Sequence, residues 1–199
     1  VAALLHEHGL QPVDLAAVAV AVNLREQAAR ETLQRLVERE EALPIERPAE
    51  YVDGSAARML LGRVIEGLRD AQEREPWAMG VTSLALARSL GIGEPLLVRV
   101  IERFVSEGRL LHRSGYYCTV DHEPSLTPEQ RAFFDHLVPL DEEQPFLPIP
   151  FAGAAAAVKL AKLAGAVKAF DTLLARGALV KVGDDLYRDS QIAEIRTRV

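Results

Sequence analysis

One pattern recurs three times along the sequence and limits the fold more than any other feature. Each copy runs from the end of a helical segment through an apolar pair into a short polar loop, and ends at tyrosine or just beyond it. The copies read LVEREEALPIERPAEYVD at 36–53, FVSEGRLLHRSGYYCTV at 104–120 and LLARGALVKVGDDLYRD at 173–189. Recurrence of this kind indicates an array of one small module, in which each copy can have its own role.

The helical parts of the copies align without gaps. Equivalent positions are Leu33, Ile101 and Phe170, and the positions three and four residues later are apolar in every copy. This spacing is one face of an α-helix. Just ahead of this helix, Asn23 and Gly91 share a column, and both residue types tolerate the left-handed backbone that ends a short helix. The third copy has Leu160 in that column and lacks the signal.

A further helix precedes each of these helix pairs. Residues 56–74 form a strongly amphipathic stretch. The stretch LTPEQRAFFDHLV predicts another helix, with Thr127 as N-cap, Pro128 in the first turn and Gln130 at the third position. That combination is typical of a capping box.

A β-hairpin is predicted after each long helix. Gly108 and Gly177 predict where the second and third long helices stop, and Glu40 gives a weaker stop in the first copy. Two β-prone runs then flank polar turns at 114–115 and at 183–185. The predicted order of elements is helix, short helix, turn, long helix and hairpin. This is the order of a winged helix, in which a helix-turn-helix is followed by a hairpin called the wing.

The predicted fold class is therefore mainly α with small β-hairpins, in a tandem array of three winged-helix domains. We expect domains at 1–56, 57–123 and 124–199, the last including the start of a connecting helix. Modules of this size bury little core alone, so neighbours are expected to pack on one another. The Ala-rich stretch at 151–167 fits close helix packing better than membrane binding, because it lacks bulky apolar anchors.

Composition excludes several functional classes. No apolar run approaches the ~20 residues that span a bilayer, and the single cysteine, Cys118, excludes an internal disulfide. The GIGEPL stretch at 91–96 lacks the third glycine of a dinucleotide-binding loop, and the histidines have no nucleophile or metal-ligand spacing. We expect a cytoplasmic, monomeric protein that is not an enzyme, with no cofactor or metal in this chain and no membrane partner.

The charge distribution points to the third copy as the nucleic-acid contact. The chain carries −6 overall, but residues 150–199 hold eight Lys or Arg against five acids, so this segment carries +3 and the rest −9. The long helices of the first two copies expose mixed charges, which pair with one another and with solvent. In the third copy lysines replace them, and phosphate backbones bind such cations. The predicted RNA-binding residues are Lys159, Lys162, Lys168, Arg176 and Lys181. No aromatic platform for stacked bases is evident, so contact with backbone shape is expected.

The chain resembles the C-terminal region of the bacterial selenocysteine-specific elongation factors, the SelB family. The resemblance lies in FVSEGRLLHRSGYYCTVDHEPSLTPEQ, whose junction is His122 to Gln130, and in LLARGALVKVGDDLYRD. The resemblance extends over nearly the whole chain, and it consists of the repeated modules together with the sequence of this junction.

The resemblance implies an N-terminal GTP-binding half outside this chain, so GTP would be a cofactor of the full-length protein alone. It also implies four winged helices, of which this chain holds three, and the fourth makes the main contact with the mRNA. The implied function is an mRNA-tethering arm that binds a selenocysteine-insertion hairpin and helps to position the factor at a recoded UGA codon. The ribosome and, through the missing domains, selenocysteyl-tRNA are the other implied partners.

Two other functions remain open at this stage. A winged-helix transcription regulator would need a basic recognition helix for the DNA major groove, and the acidic first two copies argue against it. A protein-interaction scaffold would use apolar patches, and the proline-containing wing LPIERPAEYV at 43–52 is the feature most compatible with it.

Overall fold

The computed structural model describes residues 1–140 and 146–198, and its regular structure is mainly helical with small antiparallel hairpins. The helices are α1 (Ala2–His8), α2 (Leu15–Ala21), α3 (Glu26–Glu38), α4 (Gly54–Arg74), α5 (Ser83–Leu90), α6 (Glu94–Ser106), α7 (Pro128–Leu137), α8 (Phe151–Leu160), α9 (Ala166–Ala175) and α10 (Asp189–Arg198). The strands are β1 (Ala42–Ile45), β2 (Glu50–Asp53), β3 (Leu111–Arg113), β4 (Tyr116–Cys118), β5 (Ile149–Pro150), β6 (Leu179–Val182) and β7 (Asp185–Arg188). The predicted mainly α fold class with hairpins is confirmed.

Contacts group the chain into two compact units. Unit 1 comprises Val1–Asp70 and Val81–Asp121, and unit 2 comprises Ala71–Gly80 and His122–Val199. Unit 1 contains the first two copies of the repeat, and unit 2 contains the third. The expected division into three domains at 1–56, 57–123 and 124–199 stays a prediction.

The three copies share a strand pairing that the sequence repeat did not reveal. In each copy a residue two positions ahead of the second helix pairs antiparallel with the second strand of the hairpin. The pairs are Val13 with Tyr51, Val81 with Tyr117 and Ile149 with Leu186. Each copy therefore has a short strand, two helices joined by a turn, and a hairpin whose second strand pairs with that short strand.

The turn ahead of the long helix follows the prediction in two copies and departs from it in the third. Asn23 (φ 52°) and Gly91 (φ 67°) are left-handed, as predicted. In the third copy α8 continues to Leu160, and the left-handed residue is Gly165 (φ 69°), the N-cap of α9. The chain departs from the gapless alignment here because the turn at 161–165 is longer, and α9 therefore has 10 residues where α3 and α6 have 13.

The predicted helix ends and the turn at 114–115 are confirmed, while the turn predicted at 183–185 covers only 183–184 because Asp185 begins β7. Gly108 and Gly177 follow α6 and α9 with φ of 70° and 74°, and Glu40 adopts the same left-handed conformation (φ 58°) after α3. Ser114 and Gly115 form the turn between β3 and β4 with positive φ at both positions. Such turns match the right-handed twist of hairpin strands.

Unit 1 contains two apolar clusters. The first lies around α1 to α3, with Leu5, Val18 and Leu33 fully buried. The second joins the wing of the first copy to the helices of the second copy, since Ile45 and Val52 share it with α4, α5 and α6. The wing of the first copy is therefore part of the core of the second.

Unit 2 has its own apolar cluster, built around α7, α8, α9 and the strands β6 and β7. Phe134, Val158 and Phe170 lie in it, with Leu186 fully buried from the hairpin side. Across residues 1–140 and 146–198, no helix has both the length and the apolar character to cross a membrane.

Candidate nucleic-acid interface

All five predicted RNA-binding residues lie in unit 2 and are exposed, but they do not share one helix face. Lys159 is in the last turn of α8, Lys162 in the turn at 161–165, Lys168 on α9, Arg176 at the C-cap of α9 and Lys181 on β6. The expectation that the lysines occupy the long helix is therefore wrong for Lys159 and Lys162. The reason is that α9 begins only at Ala166, beyond both lysines.

Lys159 and Lys162 form the part of this set that is open to an anion. Neither side-chain ammonium group forms a hydrogen bond or an ion pair with any residue that the structure describes. They lie three positions apart, on either side of the end of α8. No acid occurs between Phe151 and Phe170, while this stretch holds three lysines, so its local charge is positive.

Lys168 and Arg176 are engaged inside unit 2. The Lys168 ammonium forms an ion pair with the carboxylate of Glu75 at an exposed site. The Arg176 guanidinium donates to the carbonyl oxygen of Pro124 (3.0 Å) and to Oε2 of Glu123 (2.9 Å). Arg176 thus holds the junction segment at 122–130 against the end of α9. A phosphate would have to compete with these partners.

Lys181 lies over an aromatic ring. Its Nζ is 4.4 Å from the ring centroid of Phe151, the first residue of α8, at a distance typical of a cation–π contact. Such a contact leaves the ammonium charge exposed on one side. Lys181 consequently places a cation of the wing beside the start of α8, while the two unpaired lysines lie at the other end of that helix.

The junction motif holds the turn that carries Lys162. The capping box is confirmed: Gln130 N–H donates to Thr127 Oγ1 (3.2 Å), and Thr127 N–H donates to Gln130 Oε1 (3.1 Å). The Gln130 amide nitrogen also donates to the carbonyl oxygen of Ala164 (2.8 Å), and Gln130 is fully buried. One side chain therefore both caps α7 and fixes the backbone ahead of α9.

Gly165 closes the same turn by close packing. A Cβ at Gly165 would lie 2.1 Å from Cε2 of Trp77, so only glycine fits against this indole. Sequence reasoning missed Gln130, Gly165 and Trp77 as determinants of the turn. The capping-box pattern marked Gln130, but no sequence signal connects it or Trp77 with residues 164–165.

Several charged residues on the long helices of unit 1 form ion pairs within the unit. On α3, Arg30 pairs with Glu26 (3.0 Å) one turn away. On α6, Arg99 donates to the carbonyl oxygens of Glu46 (3.0 Å) and Pro48 (2.7 Å) and pairs with Glu50 (2.6 Å). Arg99 and Glu50 are each about one-fifth exposed, so this contact joins α6 to the wing of the first copy in a partly desolvated site.

A second polar cluster in unit 1 links α6 to the wing of the second copy. The Tyr117 hydroxyl donates to Glu102, and Nδ1 of His112 lies 2.8 Å from the same carboxylate. The His112 and Tyr117 rings stack with centroids 4.2 Å apart. Burial, reinforced by the hydrogen bond to Glu102, raises the pKa of Tyr117 far above its ordinary value. The residues that the structure describes contain no group of three or more His, Cys, Asp or Glu arranged to hold a metal ion.

No family model matches the chain. No curated protein matches it either. One solved structure similar to this chain is the mRNA-binding domain of elongation factor SelB from E. coli in complex with SECIS RNA. The match has 19% sequence identity and a TM-score of 0.45, and it covers 57% of this chain and 87% of that one. A similarity of this size does not assign the chain to a family.

Proposed function

We propose that this chain is the mRNA-tethering arm of a selenocysteine-specific translation elongation factor, built from three winged helices in series. In this role it binds an mRNA hairpin and helps to hold the factor at a recoded UGA codon. The observation that carries the proposal is the junction at 122–130. Its sequence carries the family resemblance, and its side chains cap α7 and hold the turn that bears Lys162.

The threefold strand pairing supports the modular part of the proposal. Each copy pairs a residue two positions ahead of its second helix with the second strand of its own wing. Two of these modules lie in unit 1, where Arg30 and Arg99 already have carboxylate partners. We assign unit 1 the role of a spacer and unit 2 the role of RNA contact.

Within unit 2 the contact is expected to depend on Lys159 and Lys162, the two predicted residues without a partner among the described residues. Lys181 adds a cation from the wing. Each phosphate that such cations neutralise releases counterions, so affinity falls as salt rises.

The mechanism requires no catalysis and no cofactor in this chain. GTP binding, and contact with selenocysteyl-tRNA, would belong to the N-terminal half of the full-length protein, which would work on the ribosome. Tethering the factor to the mRNA makes its encounter with the recoded codon intramolecular. Its effective concentration there rises without any new contact at the codon.

The two alternative functions find less support in unit 1. A DNA-binding regulator needs an accessible recognition helix, and Arg99 of α6 is instead held by the wing of the first copy. A scaffold would use the wing at 43–52, but Ile45 and Val52 are buried in the core of unit 1.

The proposal is tested by titrating the chain at low salt with a short RNA hairpin and, separately, with a DNA duplex of the same length. We expect a preference for the hairpin and a decline in affinity with salt. The double substitution Lys159→Gln, Lys162→Gln should weaken hairpin binding and reduce the salt slope by about 0.7–0.9 for each phosphate that is no longer neutralised. The matched control is Arg25→Gln, Arg30→Gln in unit 1, which should leave binding unchanged. Equal affinity for RNA hairpin and DNA duplex would overturn the proposal.

A further inference from the structure

We infer that Leu160, with the lysines on either side of it, contacts an unpaired base in the loop of the RNA hairpin. This inference rests on the proposed function and adds to it which part of the RNA is contacted and by which apolar side chain. It changes the expectation that contact is to backbone shape alone.

Leu160 is the most exposed large apolar residue of α8. Its relative exposure is 82%, while Ala154 and Val158 of the same helix are buried against the core of unit 2. Ala156, one turn before Leu160, is exposed as well. An isolated exposed leucine is ordinary on a protein surface, so its exposure alone does not identify a ligand.

The charge around Leu160 identifies the kind of ligand. Lys159 and Lys162 flank it, neither is paired with a described residue, and the stretch from Phe151 to Phe170 contains no acid. An exposed apolar side chain one residue after Lys159 and two before Lys162 fits a partner that is anionic and has an apolar face. A nucleic acid offers both, since its phosphates are charged and its bases have apolar faces.

The leucine side chain further favours an unpaired base, and not a base-paired duplex, as the part of the RNA that it contacts. In A-form RNA the major groove is too deep and narrow for side chains, and the outer surface offers phosphates and hydroxyls, which lysines bind but leucine does not. A base splayed out of a loop exposes its face, and apolar side chains bury area against such unstacked bases. The turn is already fixed by the Gln130–Ala164 hydrogen bond and by Trp77 against Gly165, so little ordering is required on binding.

The test uses the full chain and two RNAs, a hairpin with a fluorescent base analogue in its loop and a blunt duplex with the same stem sequence. Leu160→Ala should weaken hairpin binding about tenfold, or about 1.4 kcal/mol, and should abolish the fluorescence change of the loop base. Duplex binding should not change. Leu160→Phe should retain or raise hairpin affinity, because an aromatic ring also stacks on a base. Leu147→Ala is the matched control, since Leu147 is an exposed leucine (59%) of the same unit.

Each outcome has a distinct meaning. Equal losses on hairpin and duplex, or no loss on the hairpin, overturn this inference while leaving the proposed function in place. Failure of the unsubstituted chain to bind either RNA overturns both. If Leu160→Ala leaves RNA binding intact but weakens binding to vesicles of anionic phospholipid, the surface recognises a membrane and the inference is wrong.

Discussion

Replacing Gln130 with alanine should destabilise unit 2 specifically. The substitution removes the amide that accepts from Thr127 N–H (3.1 Å) and donates to the Ala164 carbonyl oxygen (2.8 Å). Gln130 is fully buried, and its two hydrogen bonds are partly shielded from water, although Thr127 is half-buried and Ala164 is exposed. Each such bond contributes about 0.5–1.5 kcal/mol, so losing both costs on the order of 1–3 kcal/mol.

The chain provides its own probe for this measurement. Its single tryptophan, Trp77, lies in unit 2 and packs against Gly165, so its fluorescence reports the unfolding of that unit. In urea we expect the tryptophan transition of Gln130→Ala to move down by on the order of 1–2 M, given typical slopes for small proteins. Far-ultraviolet circular dichroism should show that the remaining helical signal, from unit 1, unfolds at its original midpoint.

The control is Gln27→Ala on α3, where the glutamine is exposed and bonded to Glu31 (2.8 Å). It should change stability by less than about 0.5 kcal/mol, as surface substitutions usually do. A similarly small effect of Gln130→Ala would refute the reasoning, because the side chain would then not be what joins the junction to the turn ahead of α9.

Two further substitutions test the strained turn and the buried carboxylate. Gly165→Ala should lower the stability of unit 2 by about 2–4 kcal/mol, since a left-handed alanine costs about 1 kcal/mol and the clash with Trp77 adds about 1–3. The control is Gly183→Ala, which should show the backbone cost alone, because Gly183 has φ 62° and no atom lies within 4 Å of an added Cβ. Equal effects of the two substitutions in tryptophan-monitored urea unfolding would contradict the clash. Although burial opposes the shift, hydrogen bonds from Ser55 and from the Ala56 N–H lower the pKa of Asp53. A lowered folded-state pKa stabilises unit 1 above the unfolded value of about 3.9, and this stabilisation is lost as pH falls below it. Asp53→Asn should therefore destabilise unit 1 at pH 7 and differ less from the unsubstituted chain near pH 3, in urea unfolding followed by circular dichroism; a difference independent of pH would contradict this.

Local chemistry made much of the fold predictable. The capping box at Thr127 needs only residues three positions apart, and Asn23 and Gly91 mark their turns by backbone preference alone. Signals of this kind act within one turn of the chain, so they can be identified from the sequence without knowledge of the tertiary structure.

The third copy shows where such reasoning stops. The repeat alignment places its turn at Leu160, because an Ala-rich stretch gives the same helical signal through α8 and into the turn, and the left-handed residue is Gly165 instead. The ion pair of Lys168 with Glu75 joins residues far apart in the chain, and so does that of Arg176 with Glu123. Composition therefore identified the positive segment, but not which of its cations the fold already uses.

The wing of the first copy has a consequence for how such arrays can change during evolution. Ile45 and Val52 are buried among residues of α6, and Arg99 holds the loop between β1 and β2. Transferring the first module alone into another protein would leave these side chains facing water, and the second module would lose part of its own core. The two modules of unit 1 must therefore be gained, lost or exchanged as a pair.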